Sequence, residues 1–436
     1  MPSLAGVRRG ELLPLLLIAS SFGPYVFKGL GVRLEQVIIY ALLPLVLVLL
    51  LAGRQSFLCY KPVAKVLAIL VFVTLWTLLV TTLAGRYESV TKAISHFEHY
   101  LRPIAVLLLV SVMVKLRTAS EAQALFNRSL ILLIWMLCLN TTLSICSVFL
   151  GLSWVTDYFV ASPGASGSSV AELAASNGRF SGVFDQPAEA GIAYSLGLFS
   201  WAYLRRTNSK VILLDYVALT LILVGGALSV SKVFVIGGIL LFLAYWNPLK
   251  RPAQLLNWRS TFLVVIASTS LGALLSTWKG LDFLLRLFMP GDQSVNMVAL
   301  YTAGRFGKDE TLVKELFAQT IAESPFYGMG FAANTTLDNA YAEFFVQGGL
   351  IGLLAYISLL IVIGTTAFFQ PGLSKEDRRF LGVLVLFITA AGMGMPIVTA
   401  NRVSSILWVL VFLVFFVAYQ RRRAICEIQP QVNPGR

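Results

Sequence analysis

Apolar runs close to twenty residues recur along the chain, separated by short polar or glycine-rich breaks. A run of that length can cross a hydrocarbon core as a helix, since each residue advances about 1.5 Å. The pattern predicts twelve spans, over residues 11–27, 34–52, 63–84, 103–116, 127–151, 187–204, 211–228, 233–247, 260–277, 342–369, 380–398 and 403–419. The expected fold class is an all-α polytopic membrane protein. The runs at 103–116 and 233–247 are short for a span. Residues 88–102 read as an amphipathic interfacial helix anchored by Phe97, Tyr100 and Leu101.

Two long polar stretches interrupt the pattern, at 152–186 and 278–341. The second far exceeds what a connection needs, and reads as a lid or active-site segment resting on the membrane body. It contains helical spacing over 309–323, then the turn signals Ser324-Pro325 and Gly328-Met329-Gly330. The chain thus divides into residues 1–277 with nine spans and the loop 152–186, the lid 278–341, three more spans within 342–419, and a tail 420–436.

Composition agrees with the membrane class: 57% of the 436 residues are hydrophobic and 13% charged. A net charge of +13 raises nucleic acid as a partner, but most Lys and Arg sit in short clusters between spans. That placement sets orientation in a membrane, so no nucleic-acid binding is expected. With a cytoplasmic N-terminus, 21 of the 34 Lys and Arg fall on the cytoplasmic side. Both termini are therefore expected in the cytoplasm, with 152–186 and 278–341 in the periplasm of a bacterium. Arg8-Arg9 before an apolar run looks like a signal peptide, yet no clean cleavage site follows, so a retained first span is expected.

Cys59, Cys138, Cys146 and Cys426 form no CxxC pair, which argues against a disulfide framework or a metal site. His96 and His99 lie three apart beside Glu98 without an evident third ligand, so no metal is expected there either. No phosphate-binding G-x-x-x-x-G-K-[ST] loop occurs.

Polar chemistry belongs in the outward loops. Arg179, between Gly178 and Gly182, offers a planar five-donor fork suited to a phosphate or diphosphate; pairing with Asp185 is the structural alternative. Arg305 follows Gly304 in the lid, with Asp309 as its alternative partner. Two such forks make a diphosphate clamp. Asp338 and Asn339 precede the tenth span, with Tyr341 and Glu343 at its head. A carboxylate there can act as general base toward a sugar hydroxyl, whereas Asp338 or Asn339 can equally cap the helix. Lys232 and Arg402 sit in very short outward turns, where charge near membrane level marks a substrate path or simply snorkels.

Taken in order, these elements resemble the bacterial O-antigen ligase and O-antigen polymerase superfamily. The resemblance covers most of the chain. Its loop pattern is matched by Ala303-Gly304-Arg305, Pro325, Gly328-Met329-Gly330, Asp338-Asn339 and Gln347-Gly348-Gly349-Leu350-Ile351-Gly352. An earlier family element looks like Arg179, Gly182, Phe184 and Pro187. Asp338 stands where the ligases carry a His, and Gln186-Pro187-Ala188 replaces a Pro-Asn, which points to the polymerase side. The resemblance implies periplasmic glycosyl transfer from an undecaprenyl-diphosphate-linked oligosaccharide, without metal, nucleotide or other cofactor. Asp338, Arg305 and Arg179 would be catalytic, and Asn339, Lys232, Arg402, Glu343 and Tyr341 substrate-binding. The acceptor would be a second lipid-linked glycan or, in a ligase, lipid A core; membrane lipids and a chain-length regulator protein would be partners. The competing classes are a transporter of lipid-linked sugars and a non-catalytic assembly scaffold. A transporter predicts charge pairs within spans and broken helices.

Overall fold

A computed structural model describes residues 11–28, 31–53, 57–84, 90–114, 118–150, 158–159, 170–207, 213–246, 311–332 and 337–428. The chain is a helical membrane protein. Its elements are α1 (Leu12–Ser20), the strands β1 (Tyr25–Phe27) and β2 (Val32–Arg33), α2 (Leu34–Leu51), α3 (Lys61–Ala84), α4 (Val90–Met113) and α5 (Ala119–Leu150). There follow α6 (Val170–Ser176), α7 (Pro187–Thr207), α8 (Leu213–Leu228), a π-helical segment (Val233–Gly238) running into α9 (Ile239–Trp246), and α10 (Thr311–Glu323). A 3-10 turn (Gly330–Ala332) leads to α11 (Ala340–Phe369), α12 (Lys375–Ala391) and α13 (Asn401–Ile428). Among the described residues, α2, α3, α5, α11 and α13 are long and apolar enough to cross a membrane, and the segments around α8 and α9 are shorter apolar helices.

Three expectations change. Span 11–27 is helical only over Leu12–Ser20, about 14 Å, which is short of a hydrocarbon core. Its remainder turns at Ser21-Phe22-Gly23 and pairs antiparallel with β2, so the all-α reading gains a small hairpin. Residues 88–102 are not a separate interfacial helix, because α4 runs unbroken from Val90 through Pro103 into the span. Tyr100, expected as an anchor, is buried against Phe331 and Phe344. Span 260–277 and most of the lid lie outside the described residues.

α13 is the axis of the bundle. Its apolar window is 94% buried, and it packs against α1, α3, α4, α5, α7 and α12. A helix apolar all round and covered all round is what a central position requires. From Arg402 to Arg421 it advances roughly 28 Å, near the thickness of a hydrocarbon core.

Those two arginines mark the ends of the bundle. At the Arg421 end, Arg421 binds Asp377 and Gln123, Tyr203 donates to Asp377 at 2.6 Å, Arg206 pairs with Glu376, and Arg128 with Glu11. At the Arg402 end gather Gly23, Tyr25, Arg33, Phe159, Asp185 and Glu189. Among the described residues, Arg128, Arg206, Glu376, Asp377 and Arg421 thus lie at one end of the bundle and Arg33, Phe159, Asp185 and Arg402 at the other.

Candidate functional site

The site is built on a break in α11. Gly349 adopts φ 64° and ψ −159°, which interrupts the helix. The backbone groups released there must find partners, since none can be left bare at this depth. The loop 325–329 supplies them: Leu350 N donates to Pro325 O at 2.9 Å, and Met329 N donates to Val346 O at 2.7 Å. Trp76 of α3 adds its indole N–H to Gly348 O at 3.0 Å. The fit explains the glycines. A Cβ on Gly328 would overlap the backbone at Gln347 and Gly349, and one on Gly349 would overlap the Phe326 carbonyl. Gly330 turns the chain against Thr81, whose hydroxyl accepts from Phe331 N at 2.7 Å. The end of the lid is therefore latched to α3 and α11.

Just before α11, Asp338 is exposed and Asn339 is buried. The cap is Asn339: its side chain accepts from Ala342 N at 3.1 Å and donates to Met393 O at 3.3 Å. The alternative left open by the sequence is settled in favour of the second residue. Tyr341 donates to Thr389 O at 2.9 Å. Glu343 is buried, and its Oε1 accepts from Thr399 Oγ1 at 3.2 Å. Around it stand Tyr100, Phe344 and Tyr356; Phe344 and Tyr356 stack at 4.5 Å. The turn 392–400 thus touches Asn339 and Glu343.

Arg402 opens α13 but does not snorkel. It is fully buried, donating from Nη1 to Gly23 O and from Nη2 to Phe159 O, both at 2.7 Å, with its guanidinium 5.3 Å from the Tyr25 ring. Its backbone N–H reaches Glu189 Oε1 at 2.9 Å. Lys232 is half-buried and starts the π-helical segment, a feature frequent at functional sites. Two residues earlier, the β-branched Val230 sits at φ 44°, a strained conformation.

Arg179 lies on another flank, in a recess lined by Ser144, Ser147, Ala171, Ala175, Ser181 and Gly182. Burial lowers its guanidinium pKa from the usual arginine value. Gly182, at φ 62°, lets Asn140 reach the turn, where Oδ1 accepts from Val183 N at 2.8 Å. Asp185, the expected alternative partner of Arg179, instead takes Tyr25 OH at 2.8 Å and Arg33 at 3.4 Å. Arg305 lies outside the described residues.

The structure therefore joins Asn339 and Glu343 to the turn 392–402, which ends in Arg402, with Tyr341 bonded to Thr389 just before it. Asp338 is exposed at the head of α11, and Arg179 sits in its own recess. Sequence reasoning missed Arg33, Glu35, Arg102 and the role of Glu189; charges at the head of an apolar run were the available signal. Among the described residues no group of three or more His, Cys, Asp or Glu is placed to hold a metal ion. No protein-family model and no curated protein matches the chain.

Proposed function

We propose that the chain is an inner-membrane glycosyltransferase, with the Arg402 end facing the periplasm, that polymerises undecaprenyl-diphosphate-linked oligosaccharide repeats. The observation that carries this reading is the packing of its motifs. Residues 325–330 and 347–349, separate in sequence, interlock at the end of a long polar loop, and Leu337, just before Asp338-Asn339, packs with Val346 and Met329 beside them. That arrangement supports a lid docked on a membrane-level site.

In this reading the acceptor hydroxyl oxygen attacks the anomeric carbon of the donor. The bond from that carbon to the diphosphate breaks, and undecaprenyl diphosphate leaves with the electron pair. Asp338, exposed at the rim, takes the hydroxyl proton. Arg179 and Arg305 are read as the charge-bearing forks for the diphosphate, each from its own loop, and Lys232 as an extension of the cationic path. Arg402 and Asn339 are positioning residues: both terminal nitrogens of Arg402 and the Asn339 amide donate to backbone carbonyls, while Arg402 Nε meets no partner. The chemistry asks for no metal or other cofactor; a chain-length regulator protein is a fitting partner.

The test is the lipid-linked glycan that accumulates in a deletion strain. A single unpolymerised repeat is the expected result. Full-length lipid-linked polymer would replace the polymerase by a ligase acting on lipid A core. Arg179→Ala and Arg305→Ala should each abolish polymer with the protein still folded and inserted.

A second reading, a transporter of lipid-linked sugars, is favoured by the Gly349 break and by buried ion pairs such as Arg102 with Glu98 and Arg33 with Glu35. Reconstituted vesicles separate the two. Donor supplied on one leaflet is elongated by a polymerase, and crosses unchanged with a transporter.

A further inference from the structure

One buried group at the Arg402 end holds more acid than base. Glu35, Asp185 and Glu189 meet Arg33 and Arg402. The side chains of Arg33, Glu35 and Asp185 are 4%, 0% and 12% exposed, and Glu189 and Arg402 are fully buried. The neighbours leave the imbalance in place. Tyr25 on β1 stays a neutral donor, because burial and then Asp185 push its phenol up. On α4, Glu98 and Arg102 pair with each other, with Tyr40 of α2 donating to Glu98 at 2.7 Å, and His96 and His99 lie on the same helix. Lys28, exposed on the same hairpin, lies over the Tyr158 ring at 5.3 Å. Among the described buried residues, three guanidinium groups thus meet four carboxylates.

The oxygen atoms repeat the shortfall. Glu189 uses both, accepting from Arg402 N at 2.9 Å and from Asp185 N at 3.3 Å. Asp185 Oδ2 accepts from Tyr25 and Arg33, but its Oδ1 meets no donor. Glu35 has a 3.1 Å ion contact from Arg33 Nε to Oε1, while its Oε2 meets no donor. Carboxylates crowded in a buried site cannot all ionise without compensation.

We propose that Glu35, Asp185 and Glu189 share one exchangeable proton at neutral pH, so that this cluster is a proton-binding site at the junction of α2, α7 and α13. The proton belongs to the group rather than to one member. It supplies one donor among the bare carboxylate oxygens and cancels the excess charge. Its loss strains the Glu189 contacts that tie the head of α7 to α13 and to Asp185. The site is independent of glycosyl transfer, and serves an enzyme or a transporter alike.

The test uses the full chain in lipid nanodiscs and infrared difference spectroscopy against pH, in H2O and D2O. The wild type should show a deuterium-sensitive carbonyl stretch of a protonated carboxyl that bleaches as pH rises. Glu35→Gln, Asp185→Asn or Glu189→Gln each removes one acid, leaving no need for the proton, so each should lose that intensity at neutral pH. Glu343→Gln, which removes a second buried carboxyl with a band of its own, should lose only that contribution and keep the component that the three variants lose. Absence of the band in the wild type, or a band unchanged in all three variants, overturns the proposal. Thermal melting adds a readout that needs no band assignment. A carboxyl protonated in the folded state has a raised folded pKa, so its stabilisation is present at low pH and lost as pH rises. The wild-type midpoint should fall from mildly acid to mildly alkaline pH, and each amide variant should flatten that fall; an equally steep fall in all three overturns the proposal.

Discussion

The two ends of the bundle use the same residue types differently. At the Arg421 end, Arg128, Arg205, Arg206 and Arg421 are between 7% and 28% exposed and each pairs with a carboxylate, Glu376 taking Arg379 as well. Ser374 and Asp377 close a reciprocal cap on α12, at 3.2 Å and 3.0 Å. At the Arg402 end, the side chains of Arg33 and Arg102 are 4% and 0% exposed, acids outnumber bases, Gly349 breaks a helix, and Val230 is strained. Local rules hold at one end and are broken at the other. Such departures persist where the surrounding fold over-determines them, and they concentrate at working sites.

The sharpest way to break this contrast is at the α11 interruption. Gly349→Val places a branched side chain at φ 64° and into the Phe326 carbonyl. The backbone conformation alone costs about 1–3 kcal/mol for a non-glycine residue, and the overlap adds to it. Loss of the folded species in size-exclusion and thermal scans is the expected outcome. Gly382→Ala on α12, where a new Cβ meets nothing within 4 Å, should leave stability unchanged or raise it by up to about 1 kcal/mol. Equal melting of the two variants would mean that the interlock contributes nothing.

Next in size is Arg402→Met. It leaves the Gly23 and Phe159 carbonyls without donors, at about 1–3 kcal/mol each. Arg379→Met at the opposite end removes a partner of Glu376 whose side chain is 44% exposed, and should change stability by about 0.5 kcal/mol or less. Denaturant midpoints of the pair measure the asymmetry directly.

The smallest effects separate cap from catalysis. Asn339→Ala should lower stability by about 1 kcal/mol through the lost cap. Asp338→Asn should leave the melting midpoint where it is, since Asp338 does not cap α11, and abolish polymer on a gel. Normal polymer from Asp338→Asn would move the base role to Glu343, to be tested by Glu343→Gln.

The helical class was legible because apolar runs of span length admit few other folds. The glycine elements 328–330 and 347–349 were legible as motifs, but not as partners, since nothing local records that Gly328 must face Gly349. The run 11–27 misled because Leu12 to Ile18 and Tyr25-Val26-Phe27 are equally apolar; only the intervening Gly23-Pro24 separates helix from strand. Residues 88–102 misled for a different reason. Their charges looked solvent-bound, whereas Arg102 and Glu98, four apart on one face, satisfy each other inside the bundle. Arg402 read as a surface turn residue because its acceptors, Gly23 and Phe159, are backbone carbonyls hundreds of positions away.

The central place of α13 has a consequence for biosynthesis. This helix leaves the ribosome after every helix that surrounds it, so the earlier ones enter the bilayer around an unfilled slot. Glu189 lines that nascent slot, and must be shielded by water, lipid headgroups or an insertase until Arg402 arrives. Sequence-distant contacts of this kind close slowly, and leave exposed polar surface in the meantime. Chains stalled before residue 401 should accordingly be preferred substrates of membrane quality-control proteases, whereas chains stalled within the tail should escape them.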